Sequence, residues 1–337
     1  MTSSMPADKN KPRLFSGMQP SGNLHIGNYL GALKTWASIQ YDYEPIFCVV
    51  DQHAITVYQE PKGLQEKIED VAALYVAAGI DPGHSAVFVQ SSVSAHVELA
   101  WVFTCVTPMG WLSRMTQFKA KSETQESVGT GLFVYPALMA SDILLYQAQV
   151  VPVGEDQAQH LELTRDIAQR FNSVYGDTFT VPETELPAVG ERIMGLDDPT
   201  QKMSKSAPGS NHAIGLLDPP SRIKKLIGRA VTDTKPGVDF DDLGPGVTNL
   251  ITIFQAFSGW SDDQVQAEFS GSQYGALKKA VTEAVVAKLE PIQKKFGELT
   301  SDRTVIRKLL RKGAERVAPI AESTMKQVRE RVGLYSG

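Results

Sequence analysis

The stretch Arg13-Leu14-Phe15-Ser16-Gly17-Met18-Gln19-Pro20-Ser21-Gly22-Asn23-Leu24-His25-Ile26-Gly27-Asn28 decides how the rest of the chain is read. Arg13 to Met18 reads as a short strand and Gln19 to Gly22 as a turn, after which Asn28 to Gln40 carries apolar residues at helical spacing. Pro45 to Val50 is a continuous apolar run short enough for a strand buried on both faces. A helix follows over Pro61 to Ala78, closed by Gly79 and the turn Asp81-Pro82-Gly83, and Ala86 to Gln90 reads as a third strand. Strand and helix in alternation build a parallel sheet with right-handed crossovers, so the first half is α/β.

Beyond that frame, residues 94 to 119 read as two helices broken at Thr107-Pro108. Lys121 to Gly131 is a polar loop, Pro136 to Gln149 and Asp156 to Asn172 are further helices, and Val150 to Val153 between them reads as a central strand. Asp197 to Asn211 packs Pro, Gly, Ser and Lys together without periodicity, a loop composition. From Pro219 onward only helical patterns occur, at 219–229, 247–259, 261–269, 273–296 and 300–333. The expected division is therefore an α/β domain over 1–217 and an all-helical domain over 218–337.

Composition narrows the class. At 337 residues with 42% apolar and 21% charged, the chain matches globular usage and excludes a mostly disordered chain, a fibre or a coiled-coil rod. No run approaches a membrane span and the N-terminus lacks the apolar core of a secretory signal, so a cytoplasmic location is expected. Cys48 and Cys105 both stand inside apolar runs and read as buried free thiols. Net charge is −5, yet residues 275–337 hold 14 Lys and Arg against 7 Asp and Glu, which leaves −12 on the remainder. A basic segment on an acidic body is by itself an ordinary solvated helix face.

Two places can carry chemistry. At the first strand–helix junction, a helix N-terminus presents unpaired N–H groups, and Gly27 lets a ligand approach because it has no Cβ. His25 and Asn28, three apart, share a face of the first turn, where imidazole and amide can both donate to phosphate oxygens. The second place is the loop at 200–211 carrying Lys202-Met203-Ser204-Lys205-Ser206, whose two ammonium and two hydroxyl groups suit a site where charge develops on a leaving pyrophosphate.

Together, His25-Ile26-Gly27-Asn28 and Lys202-Met203-Ser204-Lys205-Ser206 resemble the paired signatures of class I aminoacyl-tRNA synthetases, with Asn28 standing where the usual motif ends in His. Phe15 to Gly22, Asp51-Gln52-His53-Ala54-Ile55-Thr56, Arg114 to Lys119, Tyr135 to Leu144 and Val151-Pro152-Val153-Gly154-Glu155-Asp156-Gln157 are similar, in order and spacing, to the bacterial tryptophanyl branch of that family. The resemblance implies a Rossmann-like nucleotide-binding domain followed by a smaller α-helical, anticodon-binding domain. It also implies ATP-dependent activation of L-tryptophan and transfer to tRNA(Trp), magnesium carried by the triphosphate with no protein metal ligand, and a homodimer formed through a helical segment inserted at about 94–185, with no membrane partner.

The implied site residues can be set against the chemistry they would serve. An indole offers one donor and no acceptor, so its pocket needs one buried acceptor, apolar walls and separate polar groups for the α-amine. The resemblance puts the acceptor at Asp142, on a largely apolar helix, with Phe15, Met139, Val151 and Val153 as walls, Tyr135 and Gln157 at the ammonium group, and His53 in the same pocket. His25, Asn28, Lys121, Lys202 and Lys205 take catalytic roles toward the phosphates. The ATP set is Gln19, Pro20, Ser21, Gly22, Gly27 and Asn28 from the first motif, Gly154, Asp156, Arg192 and Ile193 between, and Met203, Ser204 and Lys205 from the second. A tyrosyl enzyme of the same fold would need a partner pair for the phenol hydroxyl and a different run in place of Val151 to Gln157. Both signatures being intact argues against an inactive nucleotide- or RNA-binding relative, although intact residues do not by themselves prove turnover, and a nucleotidyltransferase with another acceptor would not be expected to combine this pocket with a basic helical extension.

Overall fold

A computed structural model describes residues 11–118, 128–152, 154–183, 192–204, 211–235 and 237–335, with the side chains of Glu155 and Asp156 outside the described set. Three parallel strands, β1 (Arg13–Met18), β2 (Glu44–Val49) and β3 (Ala86–Val89), pair in the order β1-β2-β3. Between β1 and β2 runs the helical stretch α1, made of Ile26–Asn28, a π-type turn Tyr29–Leu33 and Lys34–Ile39. The short α2 (Asp51–Ala54) and the long α3 (Pro61–Ala77) lead to β3. The start of α3 follows from its sequence: Glu60 accepts from the N–H groups of Lys62 and Gly63, and Pro61 occupies the first helical position, where its missing N–H costs nothing.

Alternation along the strands explains why the sheet is buried on both faces. Leu14, Phe47, Val49 and Val87 point into one core, shared with α1 and α3, while Phe15, Ile46, Cys48, Phe88 and Val50 point into the other. That second core is completed by α4 (Ala95–Val106), α5 (Met109–Ser113), α6 (Thr130–Leu144) and α7 (Glu155–Tyr175). A one-residue slip of any strand would exchange the two sets, so the register is strongly specified.

The remaining elements are α8 (Pro220–Arg229), α9 (Pro245–Ser258), α10 (Asp262–Phe269), α11 (Tyr274–Thr300) and α12 (Arg303–Val332). Their apolar faces join the first core without a break, through Ile223, Leu250, Leu277, Val281 and Ile306. The second half of α12 instead belongs to the other core, through Val317, Ala321, Met325 and Val328. Thus α12 crosses the β3 edge and contributes to both faces, a covering that blunts an otherwise open strand edge.

Three sequence expectations change. Val150 pairs with β1 only as an isolated parallel bridge, Leu14 to Val150, on the side of β1 away from β2, so it stands at the sheet's margin and not as a central strand; Val153 lies outside the described residues. The helix expected from Pro136 begins at Thr130, because a buried Pro136 is accommodated inside it. Cys48 is buried as expected, but Cys105 is exposed, since it sits on the outward face of α4.

Candidate active site

The turn after β1 ends on Gly22, whose φ of 66° is the left-handed conformation that glycine adopts freely. It delivers His25 in extended conformation as the cap of α1, and the His25 backbone N–H donates to Oδ1 of Asn28 at 3.0 Å. This leaves the Asn28 amide N–H₂ as its donor toward a ligand. The His25 ring is buried against Gly27: a Cβ there would lie 2.9 Å from ring atoms Cε1 and Nδ1. Gly27 therefore makes room for the imidazole as well as for a ligand.

The two sequence motifs, some 175 residues apart, are tied through backbone. Ile26 N–H donates to Ile214 O at 2.9 Å and Leu216 N–H to Leu24 O at 2.8 Å, so the segment that follows the second motif pairs with the approach to the first. The base of the second motif is itself a hairpin, with Met203 N–H donating to Ile193 O and Gly195 N–H to Gln201 O. His212, unforeseen in the sequence, lies within it: Nδ1 is 2.6 Å from Asp197 Oδ1 and Nε2 is 3.2 Å from Lys202 O. Gly195 is what admits that ring, because a Cβ there would lie 2.1 Å from it.

Between these elements opens a cleft of about 1430 Å³. Gln19, Ser21, Gly22, His25, Gly27 and Asn28 line it from the first motif, and Arg192, Ile193, Lys202, Met203 and Ser204 from the second. Phe15, His53, Tyr135, Met139, Asp142, Val151, Gly154 and Gln157 line the remainder. Pro20 is buried and is not among the residues that line the cleft. Lys121, Lys205 and Val153, and the side chain of Asp156, lie outside the described residues.

Asp142 is the most constrained group. It is 1% exposed, and its carboxylate receives Gln90 Nε2 (2.6 Å) and His96 Nδ1 (2.6 Å) on Oδ1, and His53 Nε2 (2.7 Å) on Oδ2. Burial pushes its pKa up, but the adjacent His53 and His96 outweigh burial and hold the carboxyl below its ordinary value, in the ionised form. A carboxylate offers about four lone-pair sites; two are taken on Oδ1 and one on Oδ2, so one on Oδ2 remains for a ligand donor. Burial pushes the Tyr135 hydroxyl up to about 12, and His160 Nε2 lies 2.6 Å from it. Gln90, His96 and His160 were not singled out from the sequence; the signal was polar residues within buried apolar segments, at the end of β3 and inside α4 and α7.

Among the described residues no group of three or more His, Cys, Asp and Glu could hold a metal ion, and no helix is long and apolar enough to cross a membrane. On the basic helical segment, Lys278 donates to Gly228 O and Ala230 O, and Arg307 pairs with Glu69 at 2.6 Å, whereas Lys308, Arg311 and Lys312 are exposed.

Residues 7–290 match the family model described as tRNA synthetases class I (W and Y). A Wolinella succinogenes protein named tryptophan--tRNA ligase is 52% identical over 325 residues, covering 96% of this chain and 99% of the relative. The crystal structure of tryptophanyl-tRNA synthetase from Mycoplasma pneumoniae superposes with a TM-score of 0.89 at 37% identity, over 97% of this chain and 99% of that one. The Campylobacter jejuni enzyme complexed with ADP and tryptophan superposes at 0.83 with 34% identity, over 96% and 100%. With near-complete coverage in both sequence and fold, the chain belongs to the W and Y family of class I tRNA synthetases, on its bacterial tryptophanyl branch.

Proposed function

We infer that this chain is a tryptophan–tRNA ligase, activating L-tryptophan with ATP to tryptophanyl-adenylate and pyrophosphate and then transferring tryptophan to the 3′ end of tRNA(Trp). The observation that carries this reading is Asp142, an ionised, buried acceptor with one lone pair left, in a cleft shared with both family motifs. An indole N–H is the donor that fits it, with Met139, Val151 and Phe15 as walls and Tyr135 and Gln157 for the α-ammonium group. A site built to bond a substrate N–H rejects analogues lacking it by roughly 10⁴-fold or more, far beyond what an apolar slot achieves.

Activation needs no covalent enzyme intermediate and no protein base. The tryptophan carboxylate is already a nucleophile: its oxygen forms a bond to the α-phosphorus while the bond to the bridging oxygen breaks, and the electron pair leaves on pyrophosphate. Rate comes from positioning and from stabilising that charge. In this reading His25, Asn28 and Gln19 donate to the α-phosphate region, Gly22 and Gly27 admit the nucleotide, and Lys202, Ser204 and Lys205 serve the outer phosphates, with Lys121 and Arg192 assisting. Magnesium enters with the triphosphate as part of the substrate.

For the second step, the helical region from residue 218 serves as the anticodon-binding domain, supported by its local positive charge. A homodimer formed through the 94–185 segment is supported by Trp101 and Met109, which are 69% and 73% exposed on α4 and α5. The site of action is the cytoplasm.

The deciding experiment is exchange of labelled pyrophosphate into ATP with each of the twenty amino acids and no tRNA. Exchange with tryptophan alone is expected. Exchange with tyrosine would keep the fold and overturn the pocket, and none with any amino acid would overturn the activation chemistry.

A further inference from the structure

The hydrogen-bond network behind Asp142 continues past the cleft wall. His96, whose Nδ1 meets Asp142 Oδ1, has its Nε2 2.7 Å from the hydroxyl of Tyr146. Both residues are 0% exposed and neither lines the cleft, so neither can touch a ligand. Proton placement follows from satisfying every group. A carboxylate only accepts, so His96 Nδ1 carries a proton toward Asp142. Among the described residues His96 Nε2 is the acceptor in reach of the Tyr146 hydroxyl, so Nε2 must be unprotonated for that O–H to be paired. The arrangement is thus Tyr146 O–H to Nε2, and Nδ1–H to Oδ1, around a neutral ring in one tautomer. A doubly protonated ring would strand the phenol hydrogen in a dry interior. Burial, followed by the neighbouring Cys48 and Asp142, raises the phenol's pKa and keeps its proton in place.

Tyr146 is itself held rigidly. Its ring stacks on Phe15 at 5.8 Å and meets Phe88 edge-on at 5.8 Å, and its carbonyl accepts from Arg13 Nη1 at 2.6 Å. Gln147 next to it adopts a φ of 54° and is anchored at both ends of its side chain, to Thr178 O and Thr180 N–H. A fixed phenol therefore dictates the tautomer of His96, and His96 dictates which carboxylate edge of Asp142 is occupied.

We propose that Tyr146 and His96 are positioning residues for amino-acid selection: Tyr146 holds the His96 ring so that His96, together with Gln90, saturates Oδ1 of Asp142 and leaves the remaining Oδ2 lone pair for the substrate's ring N–H. The proposal rests on the reading of Asp142 as the indole acceptor.

The test is the ratio of dissociation constants for tryptophan and benzothienylalanine, the isostere in which sulfur replaces the ring N–H, by calorimetry on the full chain. Tyr146→Phe keeps the ring packing and removes only the hydroxyl. It is expected to reduce discrimination by about three- to tenfold, the worth of one buried hydrogen bond, with benzothienylalanine binding unchanged within about twofold. His96→Asn, whose amide can donate to Oδ1 without help from Tyr146, should retain most of the discrimination, and adding Tyr146→Phe to it should change nothing further. A purely structural role would weaken both ligands equally, and that result overturns the proposal. So does an unchanged ratio in Tyr146→Phe. Asp142→Ala separates the two levels: if it abolishes discrimination while Tyr146→Phe does not, only the positioning role falls, and if it preserves discrimination the acceptor reading falls with it.

Discussion

A Cβ atom on Gly313 would lie 1.9 Å from the carbonyl oxygen of Val87 and 2.6 Å from its carbonyl carbon. The helix α12 therefore rests backbone to backbone on the edge strand β3, with Ile306 and Leu310 in the core on one side of the crossing and Val317 and Ala321 in the core on the other. Two opposed effects bear on Gly313→Ala. Helix propensity favours alanine by about 1 kcal/mol. Against it stands a clash with backbone that cannot rotate away, where overpacking costs roughly 1–3 kcal/mol or more. The clash should win, and Gly313→Ala should unfold at lower urea than the parent. A raised midpoint would mean that the helix lifts freely from the strand.

The same helix is fixed further along by Arg329, whose Nε and Nη2 each lie 2.7 Å from a Glu98 carboxylate oxygen on α4. Hydrogen bonding from Arg329 is the main cause that holds the Glu98 pKa below its ordinary 4.5; burial opposes this and the Arg329 charge adds to it. A depressed acid contributes stability above its unfolded pKa and loses it as pH falls through the folded one. Since the Glu98 side chain is 39% exposed, screening limits the pair to about 1 kcal/mol or less. Glu98→Gln should thus lower the urea midpoint slightly at neutral pH, and the gap to the parent should close below pH 4.5. A gap that stays constant into acid would remove the ion pair as its origin.

His25 and Gly27 form one device, the ring occupying the space that a Cβ on Gly27 would fill. If His25 stabilises charge at the α-phosphate, His25→Ala should lower kcat for pyrophosphate exchange about 10²-fold, as loss of a donor to developing charge does elsewhere. The KM for tryptophan should stay within about twofold, because the interaction is made in the transition state. Gly27→Ala should push the ring aside and act in the same direction, by about tenfold or more. Activation by His25→Ala within about twofold of the parent would assign the transition-state role elsewhere.

These residues also show where sequence reading reaches its limit. His25, Gly27 and Lys202 are legible because each sits in one of two contiguous motifs that, taken as a pair, resemble the signatures of class I synthetases. Asp142 is legible as an acid among Met139, Ile143 and Leu144, a place where a solvated carboxylate is a poor reading. Its three donors are not, because Gln90 follows β3, His53 lies in α2 and His96 in α4, and only the packed fold brings them to one carboxylate. Although His53 entered through the family resemblance, the other two had no such marker. His212 is hidden for a related reason: its partners Asp197 and Lys202 meet it only once the hairpin folds. Pro136 misled in the opposite direction, since a proline that usually starts a helix is here buried inside one.

The basic helical region can now be divided by which cations already have partners. Arg303 bonds Glu69 and Asp70 on α3, Arg307 bonds Glu69, and Lys278 caps the carbonyls of Gly228 and Ala230. Removing them should disturb packing before it disturbs RNA binding. Lys308 and Lys312 are exposed, lie one turn apart on α12, and are the better candidates for phosphate contacts. Reversing both, Lys308→Glu with Lys312→Glu, should reduce tryptophan transfer to tRNA by about tenfold or more at moderate salt. Because each phosphate contact adds roughly 0.7 to 0.9 to the slope of log affinity against log salt, the dependence on salt should also flatten. Pyrophosphate exchange without tRNA should be unchanged, as neither side chain lines the cleft. If charging and its salt dependence both survive the reversal, this face of α12 does not meet the RNA, and the positive charge is a solvated helix surface after all.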